Sequence, residues 1–269
     1  MTFRDAVLLD TLALNDGDGL EAFRAAVMAA LAAGARPFEV LAGAPYERYG
    51  ARLTFMPRRG AAAQLAAALA IDDHPWGPPT LVSVRWTTGR LVVKAYHHMG
   101  RHAGRLPDGF AVPLNVEDDL ELQHAALEGD WVEVYFRSTR ERSWRSFVTS
   151  SLAPLYGQEQ AEAFAEAARP RPRPADRAHW VSYRCQRGAL QAISVAAFER
   201  ALPAERTVRA AWAQGLGSDD AARYERLVAA ACTYGQIRGG STNSYLAWSI
   251  DASGAEQRVA ALAIPVRTG

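Results

Sequence analysis

The sequence has few cysteines, no long apolar run and almost no net charge, and each absence narrows the classes of protein it can belong to. Two cysteines, Cys185 and Cys232, are too few for a disulfide framework or a zinc knuckle. No apolar stretch reaches the roughly 18 residues that a membrane helix needs. With 30 basic against 29 acidic residues, the net charge is +1, so the surface as a whole has no strong attraction for nucleic acid or an anionic membrane. A site for an anion must therefore be a local concentration of basic side chains.

The amino-terminal residues also lack the features of a targeting segment. Met1–Asp5 are not followed by the apolar stretch and cleavage site of a secretory signal peptide. We therefore expect a cytoplasmic monomer without a membrane or nucleic-acid partner. Hydrophobic residues make up 49% of the 269 residues and charged residues 22%, a balance that permits a large buried core and argues against disorder.

Helix signals and hairpin signals alternate along the chain. Ala-rich or amphipathic segments predict helices near 20–31 (with Gly34 as its cap), 61–71, 117–127, 158–168, 208–214 and 221–231. Alternating apolar and polar residues predict hairpins that join 38–42 to 51–56, 80–87 to 90–98, 131–137 to 143–149, 179–186 to 189–195 and 245–250 to 257–264. The linker-like stretch 169–174 is too short to prove a domain boundary, so we expect one domain over residues 1–269.

Successive hairpins imply antiparallel pairing, and five helix-and-hairpin units would supply about ten strands. The open edges of such a sheet are costly, and the helices between the hairpins need an apolar sheet face to cover. The sequence therefore predicts an α+β fold in which repeated αββα units form a ten-stranded antiparallel β-barrel with its helices on the outside.

Strand alternation gives each predicted strand an apolar and a polar face. Lys94, Tyr96 and His98 share one face of the strand 90–98, and Arg52 and Thr54 share one face of the strand 51–56. The solvated surface of an ordinary antiparallel sheet would give the same alternation. The helices between the hairpins favour a barrel, in which the polar faces point into the lumen. The lumen would then be lined by Glu39, Arg52, Arg85, Lys94, Tyr96, Tyr135 and Arg145.

Two short motifs stand within this topology. Glu39 lies on one strand of the first hairpin and Arg52 on the other, and Lys94-Ala95-Tyr96 lies on the fourth strand. Together with the αββα order, they resemble the ABBA prenyltransferases, and most of all the cyanobactin-type peptide prenyltransferases. The first pair is spaced like that family's catalytic glutamate and first diphosphate arginine, and the second motif is similar to the Lys-x-Tyr of its fungal indole branch. The resemblance covers most of the chain as topology.

The resemblance implies an enzyme that moves a dimethylallyl or geranyl group from its diphosphate to a peptide side chain of Trp, Tyr, His or Arg type, or to a small aromatic. Such activity belongs to the biosynthesis of modified ribosomal peptides and other natural products. Glu39 would act as the general base. The diphosphate would bind Arg52, Lys94, Arg145, Arg85 and Arg258. The prenyl pocket and its allyl cation would be shielded by Tyr96, Tyr135, Tyr245 and Phe147. Other positions of the lumen would be taken by His98 and Gln191.

The sequence offers little for a metal. It has no Asp-Asp-x-x-Asp motif, so the metal-held diphosphate of the all-helical prenyl synthases is not expected, although Mg²⁺ can enter with the diphosphate. His97 and His98 are neighbours on a strand and should point to opposite faces, so with His102 they make a poor zinc site. We expect no metal held by the protein. Two alternatives stay open: a non-catalytic barrel that binds an anionic or aromatic metabolite, and a zinc hydrolase that uses these histidines.

Overall fold

The structure is a computed structural model that describes residues 20–44, 51–74, 76–87, 90–99, 120–138, 144–167, 177–200 and 243–265. Within these ranges lie ten strands and four helices, which confirms the α+β class and the antiparallel strands. The chain forms two compact units. The first unit comprises Met1–His97, Arg200–Tyr245 and Ala260–Gly269, and the second comprises His98–Glu199 and Leu246–Val259.

The elements of the first unit follow the order expected from the sequence. They are α1 (Leu20–Ala32), β1 (Arg36–Ala44), β2 (Ala51–Met56), α2 (Ala62–Ala68), β3 (Leu81–Thr87) and β4 (Arg90–His98), with β4 counted to His97. β1 pairs with β2 on one side and with the end of β10 (Glu256–Pro265) on the other, and β2, β3 and β4 pair in turn, all antiparallel. Gly34 ends α1 with a positive φ of 80° that a side chain would disfavour, as its position after the helix predicts.

The apolar side of the first unit's sheet is its core. Leu53 and Phe55 of β2 and Val82 and Val84 of β3 are fully buried, as the strand alternation predicts. α1 contacts β3 and α2, and its Phe23 is also fully buried. The helices therefore cover the apolar side of these strands, which leaves the opposite side to the polar residues.

The second unit contains four consecutive antiparallel strands and two helices. These are β5 (Leu120–Glu128), β6 (Trp131–Ser138), α3 (Trp144–Tyr156), α4 (Gln158–Ala167), β7 (Arg177–Gln186) and β8 (Ala189–Arg200), with β8 counted to Glu199. β5 pairs with β6, β6 with β7, and β7 with β8. Two strands, β9 (Asn243–Asp251) and β10, are each divided between the two units. α3 packs on α4 and β7, and Phe147, Leu152, Phe164 and Val181 are buried in this core.

Two predicted elements are wrong. Residues 120–127 of the helix predicted at 117–127 belong to β5, because Gly129 turns the chain with a φ of 59° and β5 pairs along its length with β6. Residues 144–149 of the strand predicted at 143–149 belong instead to α3, in which Phe147 and Val148 recur with Leu152 at helical spacing. The predicted helices at 208–214 and 221–231 lie outside the described residues. None of the helices in the described ranges has the length and apolar character needed to cross a bilayer.

Candidate functional site

Strand pairing in the first unit lines up four polar residues across four strands. Glu39 of β1 is opposite Thr54 of β2, Thr54 is opposite Ser83 of β3, and Ser83 is opposite Lys94 of β4. Side chains at directly opposed positions lie about 4.5–5.5 Å apart at their Cβ atoms. We call Glu39, Thr54, Ser83 and Lys94 the polar row, and the side of the first unit's sheet that carries it the cationic face.

A pair of arginines lies one step along the strands from the polar row. Arg52 of β2 is directly opposite Arg85 of β3. Each is two residues from a member of the row, so the strand period places both on the cationic face. Like charges directly opposite each other on neighbouring strands repel and destabilise the sheet. A bound anion would relieve that repulsion.

Arg52 is the centre of the cationic face. Its Nη2 lies 3.6 Å from Oε1 of Glu39, and its Nη1 donates a hydrogen bond of 3.1 Å to the hydroxyl of Tyr96. Tyr96 is on β4, so the second contact crosses β3 entirely. Neighbouring strands are about 4.8 Å apart, and the long side chains of an arginine and a tyrosine together span two such steps. Arg52 therefore links the polar side chains of β1, β2 and β4 on the cationic face.

Lys94 adds a second positive charge beside the same tyrosine. Its Nζ lies 5.6 Å from the centre of the Tyr96 ring, within the range of a cation–π contact. Tyr96 thus receives a hydrogen bond from Arg52 at its hydroxyl and a cation at its ring. The structure brings together four of the residues singled out in the sequence, namely Glu39, Arg52, Lys94 and Tyr96.

Glu39 is the carboxylate of this cluster. Only 18% of its side-chain surface is exposed. Loss of solvation raises the pKa of Glu39 above its ordinary value, and the charge and hydrogen bond of Arg52 partly offset the effect. A carboxylate with a raised pKa is a better proton acceptor than an exposed one, which is the property that a general base needs.

Two hydroxyls of the cationic face are out of contact with water. Thr54 is 4% exposed and Ser83 is 1% exposed, although both belong to the polar row. Longer side chains of the same face are partly exposed, a quarter of the Arg52 side chain among them. The lumen of a barrel and a solvated outer surface therefore both stay predictions for this face.

The second unit has a polar face of different character. Its row contains His124, Tyr135, Ser182 and Ser194 on four successive strands. The hydroxyl of Ser182 donates to Oε1 of Glu133 at 2.7 Å. Ser182 and Ser194 are not among the residues predicted from the sequence, although their alternation with Val181, Tyr183 and Val195 is a usable signal.

Hydrogen bonds and ion pairs connect the rest of this polar face. The hydroxyls of Ser194 and Ser249 lie 2.6 Å apart. Arg184 lies 3.4 Å from Glu128 and stacks over the Trp131 ring at 4.3 Å. The serine hydroxyls of this face and Arg184 therefore bind other side chains, whereas Nδ1 of His124 is buried without a hydrogen-bond partner among the described residues.

Arg145 and Phe147 lie on α3 and not on a sheet strand. Arg145 is exposed and pairs with Glu162 of α4 at 2.9 Å. Phe147 is buried in the helical core, with its ring 5.2 Å from that of His179. The prediction that a strand turns these two side chains into a shared polar face is wrong, because the strand is a helix.

The histidines divide as the strand period predicts. His97 is buried and packs against the rings of His74 and Trp76, whereas His98 is exposed and lies 5.3 Å from the ring of His124. Burial, assisted by a second histidine in each case, lowers the pKa of both His97 and His124 to about 4. Within the ranges that the structure describes, no three His, Cys, Asp or Glu side chains gather as a metal site would require.

Three further residues are predicted to line the lumen, namely Tyr245, Arg258 and Gln191. Tyr245 lies on β9 and Arg258 on β10, and their side chains are outside the described part of the chain. Gln191 is half-buried at the irregularity in the pairing of β8, where its carbonyl accepts a hydrogen bond from the amide of Ala252. Their predicted roles stay predictions.

Comparison with known proteins does not assign this chain to a family. No family model matches it, and no curated protein matches it. The case for a function therefore depends on the cationic face.

Proposed function

We propose that this protein is a prenyltransferase that moves a dimethylallyl or geranyl group from its diphosphate to an electron-rich side chain of a peptide or to a small aromatic. In this proposal the ten strands close into a barrel of the ABBA type, with the cationic face on its inside. The pairing of β1 on both of its edges supports closure, because it leaves no free edge at that strand.

The observation that carries the proposal is the position of Arg52 between Glu39 and Tyr96. Prenyl transfer needs cations for the leaving diphosphate, an electron-rich ring for the allyl cation, and a base for the proton of the acceptor. Arg52 and Lys94 supply the first, Tyr96 the second and Glu39 the third. These four side chains lie together on one partly buried face.

In the reaction, the bond between the prenyl carbon and the diphosphate oxygen breaks, and diphosphate leaves with the electron pair. Arg52, Arg85 and Lys94 stabilise its charge through hydrogen bonds that become stronger because donor and acceptor are both charged. The face of Tyr96 stabilises the allyl cation by about 0.5–2 kcal/mol. The acceptor forms the new bond to carbon, and its proton passes to the carboxylate of Glu39.

Other predicted residues have a smaller place in the proposal. Arg145 is excluded from the diphosphate site that we propose, because it is exposed on α3 and paired with Glu162. Phe147 is likewise left to the helical core. Tyr135 and His98 remain candidate lining residues. Mg²⁺ would accompany the diphosphate and needs no carboxylate cage from the protein.

The direct test offers dimethylallyl or geranyl diphosphate together with a panel of Trp-, Tyr-, His- and Arg-containing peptides and small aromatics. We expect at least one acceptor to gain the mass of the prenyl group. Glu39→Gln should then lower turnover by about 10²–10⁴-fold, the usual contribution of a general base, while diphosphate still binds.

The matched control is Glu162→Gln, which also removes a carboxylate paired with an arginine. It should leave turnover close to that of the unmodified protein. Equal losses in the two variants would contradict the role of Glu39. Diphosphate binding without a mass gain in any acceptor would favour the alternative of a non-catalytic barrel that binds anions.

A further inference from the structure

Two buried hydroxyls of the polar row have no partner in the described structure. Thr54 Oγ1 and Ser83 Oγ are out of contact with water, and neither makes a hydrogen bond with a residue that the structure describes. They lie directly opposite each other on β2 and β3. A buried hydroxyl without a hydrogen bond is destabilising, so a pair of them at one place calls for a physical reason.

Two buried serines on the polar face of the second unit have hydrogen-bond partners. Ser182 is as buried as Thr54, and it donates to Glu133. Ser249, also buried, shares a short hydrogen bond with Ser194. The second unit also buries the hydroxyls of Thr149 and Tyr183, which have no partner among the described residues. The feature that sets Thr54 and Ser83 apart is therefore that they lie directly opposite each other among basic side chains.

The neighbours of the two hydroxyls are mostly basic. Arg52 is two residues before Thr54 on β2, Arg85 is two residues after Ser83 on β3, and Lys94 is directly opposite Ser83. Glu39 is opposite Thr54, but the Thr54 hydroxyl makes no hydrogen bond with it. A ligand that enters among these groups would meet two hydroxyl donors between three cations. Only an anion with several acceptor oxygens would suit all of them.

We propose that Thr54 and Ser83 are binding residues that donate hydrogen bonds to the oxygens of the diphosphate held by Arg52, Arg85 and Lys94. This inference rests on the proposed function and adds two uncharged donors to its site. Lysine attracts an anion as a point charge, whereas hydroxyls fixed on two neighbouring strands also favour a particular arrangement of oxygens. Two donors suit two phosphoryl groups, so diphosphate should bind more tightly than monophosphate.

The test measures the binding of inorganic diphosphate, inorganic phosphate and dimethylallyl diphosphate to the full chain by calorimetry. Thr54→Val and Ser83→Ala should each weaken diphosphate binding about tenfold, a typical effect for a hydrogen bond to a charged group. Thr54→Ser keeps the hydroxyl and should keep the affinity. Ser151→Ala is the control, because Ser151 is a buried hydroxyl that bonds the carbonyl of Phe147 within α3.

Thermal unfolding without ligand supplies a second readout. Thr54→Val and Ser83→Ala remove an unpaired buried hydroxyl, so they should leave the melting temperature unchanged or raise it. Ser151→Ala removes a paired hydroxyl and should lower it. If the first two variants melt at a lower temperature and still bind diphosphate like the unmodified protein, their hydroxyls serve the fold and the inference is wrong.

The remaining outcomes separate this inference from the proposed function. Weaker diphosphate binding in the two variants, with no prenylated acceptor, would leave the inference standing and contradict the transferase. Prenyl transfer with unchanged diphosphate affinity in both variants would support the transferase and contradict the inference about Thr54 and Ser83. Failure of the unmodified chain to bind diphosphate at all would overturn both.

Discussion

Each unit carries a face of alternating polar residues, but the polar groups of the two faces differ in their hydrogen-bond partners. In the first unit, Arg52, Arg85 and Lys94 surround two hydroxyls that have no partner among the described residues. In the second unit, Ser182 bonds Glu133, and Arg184 lies between Glu128 and Trp131. Strand alternation alone predicts both faces equally well. The hydrogen bonding of their small hydroxyls distinguishes them, because a serine hydroxyl that already has a partner has less to gain from a ligand.

The largest effect should come from removing the central arginine of the cationic face. Arg52→Gln breaks its contacts with Glu39 and Tyr96 and removes a bidentate donor for diphosphate, so affinity for inorganic diphosphate should fall about 100-fold. Arg184→Gln, the matched change in the second unit, should alter that affinity by no more than about threefold. Titration calorimetry measures both. Equal losses would mean that the two faces do not differ in the way proposed.

Acidification should affect both units, because each buries a neutral histidine. The pKa of His97 in the first unit and of His124 in the second is lowered from 6.5 to about 4. The unfolded chain therefore takes up protons below pH 6.5 that the folded chain does not accept until about pH 4. Stability should fall across that window, by up to about 1.4 kcal/mol per pKa unit at each site.

Chemical unfolding at pH 7 and pH 4.5 would measure this loss. His97→Gln and His124→Gln should each reduce the difference between the two pH values. An unchanged pH dependence in the double variant would show that these histidines do not cause it. Glu39 should act in the opposite direction, because its pKa is raised and the folded chain releases its proton at a higher pH than the unfolded chain.

A smaller contrast is expected from single hydroxyls. Ser182→Ala removes the hydrogen bond from the Ser182 hydroxyl to Glu133 and should cost about 1–2 kcal/mol of the free energy of unfolding. Ser83→Ala removes a hydroxyl that has no partner within the described ranges and should cost nothing or stabilise the protein. Urea denaturation of the two variants compares them directly. A larger cost for Ser83→Ala would contradict the difference drawn between the two faces.

The smallest effect should follow the loss of the exposed ion pair between Arg145 and Glu162. Because both side chains reach the solvent, Arg145→Gln should leave the free energy of unfolding nearly unchanged. Its affinity for diphosphate should match that of the unmodified protein. A marked loss of diphosphate binding would restore Arg145 to the site from which its position on α3 removes it.

Local patterns predicted much of the fold. The period of two correctly placed Arg52 and Thr54 on one side of β2, and Leu53 and Phe55 on the other. Local patterns failed at β5, where Leu, Glu, Gln and Ala residues favour a helix but pairing with β6 overrides that preference. They failed again at 143–149, because a segment this short does not distinguish a strand pattern from a helical one.

The candidate site was less accessible to sequence reasoning. Residue types and spacing predicted the Glu39, Arg52, Lys94 and Tyr96 set. The contact of Arg52 with Tyr96 depends on the register of three strands, which no local pattern encodes. The burial of Thr54 and Ser83 was equally hidden, because a hydroxyl in an alternating strand looks the same whether or not water reaches it.

The central claim is that the cationic face of the first unit binds a diphosphate. A crystal structure of the full chain with inorganic diphosphate tests it most directly. We expect diphosphate oxygens at about 2.7–3.1 Å from the side-chain donors of Arg52, Lys94 and Ser83. Diphosphate bound elsewhere, for example at the exposed Arg145, with no diphosphate oxygen in contact with Arg52, would contradict the claim.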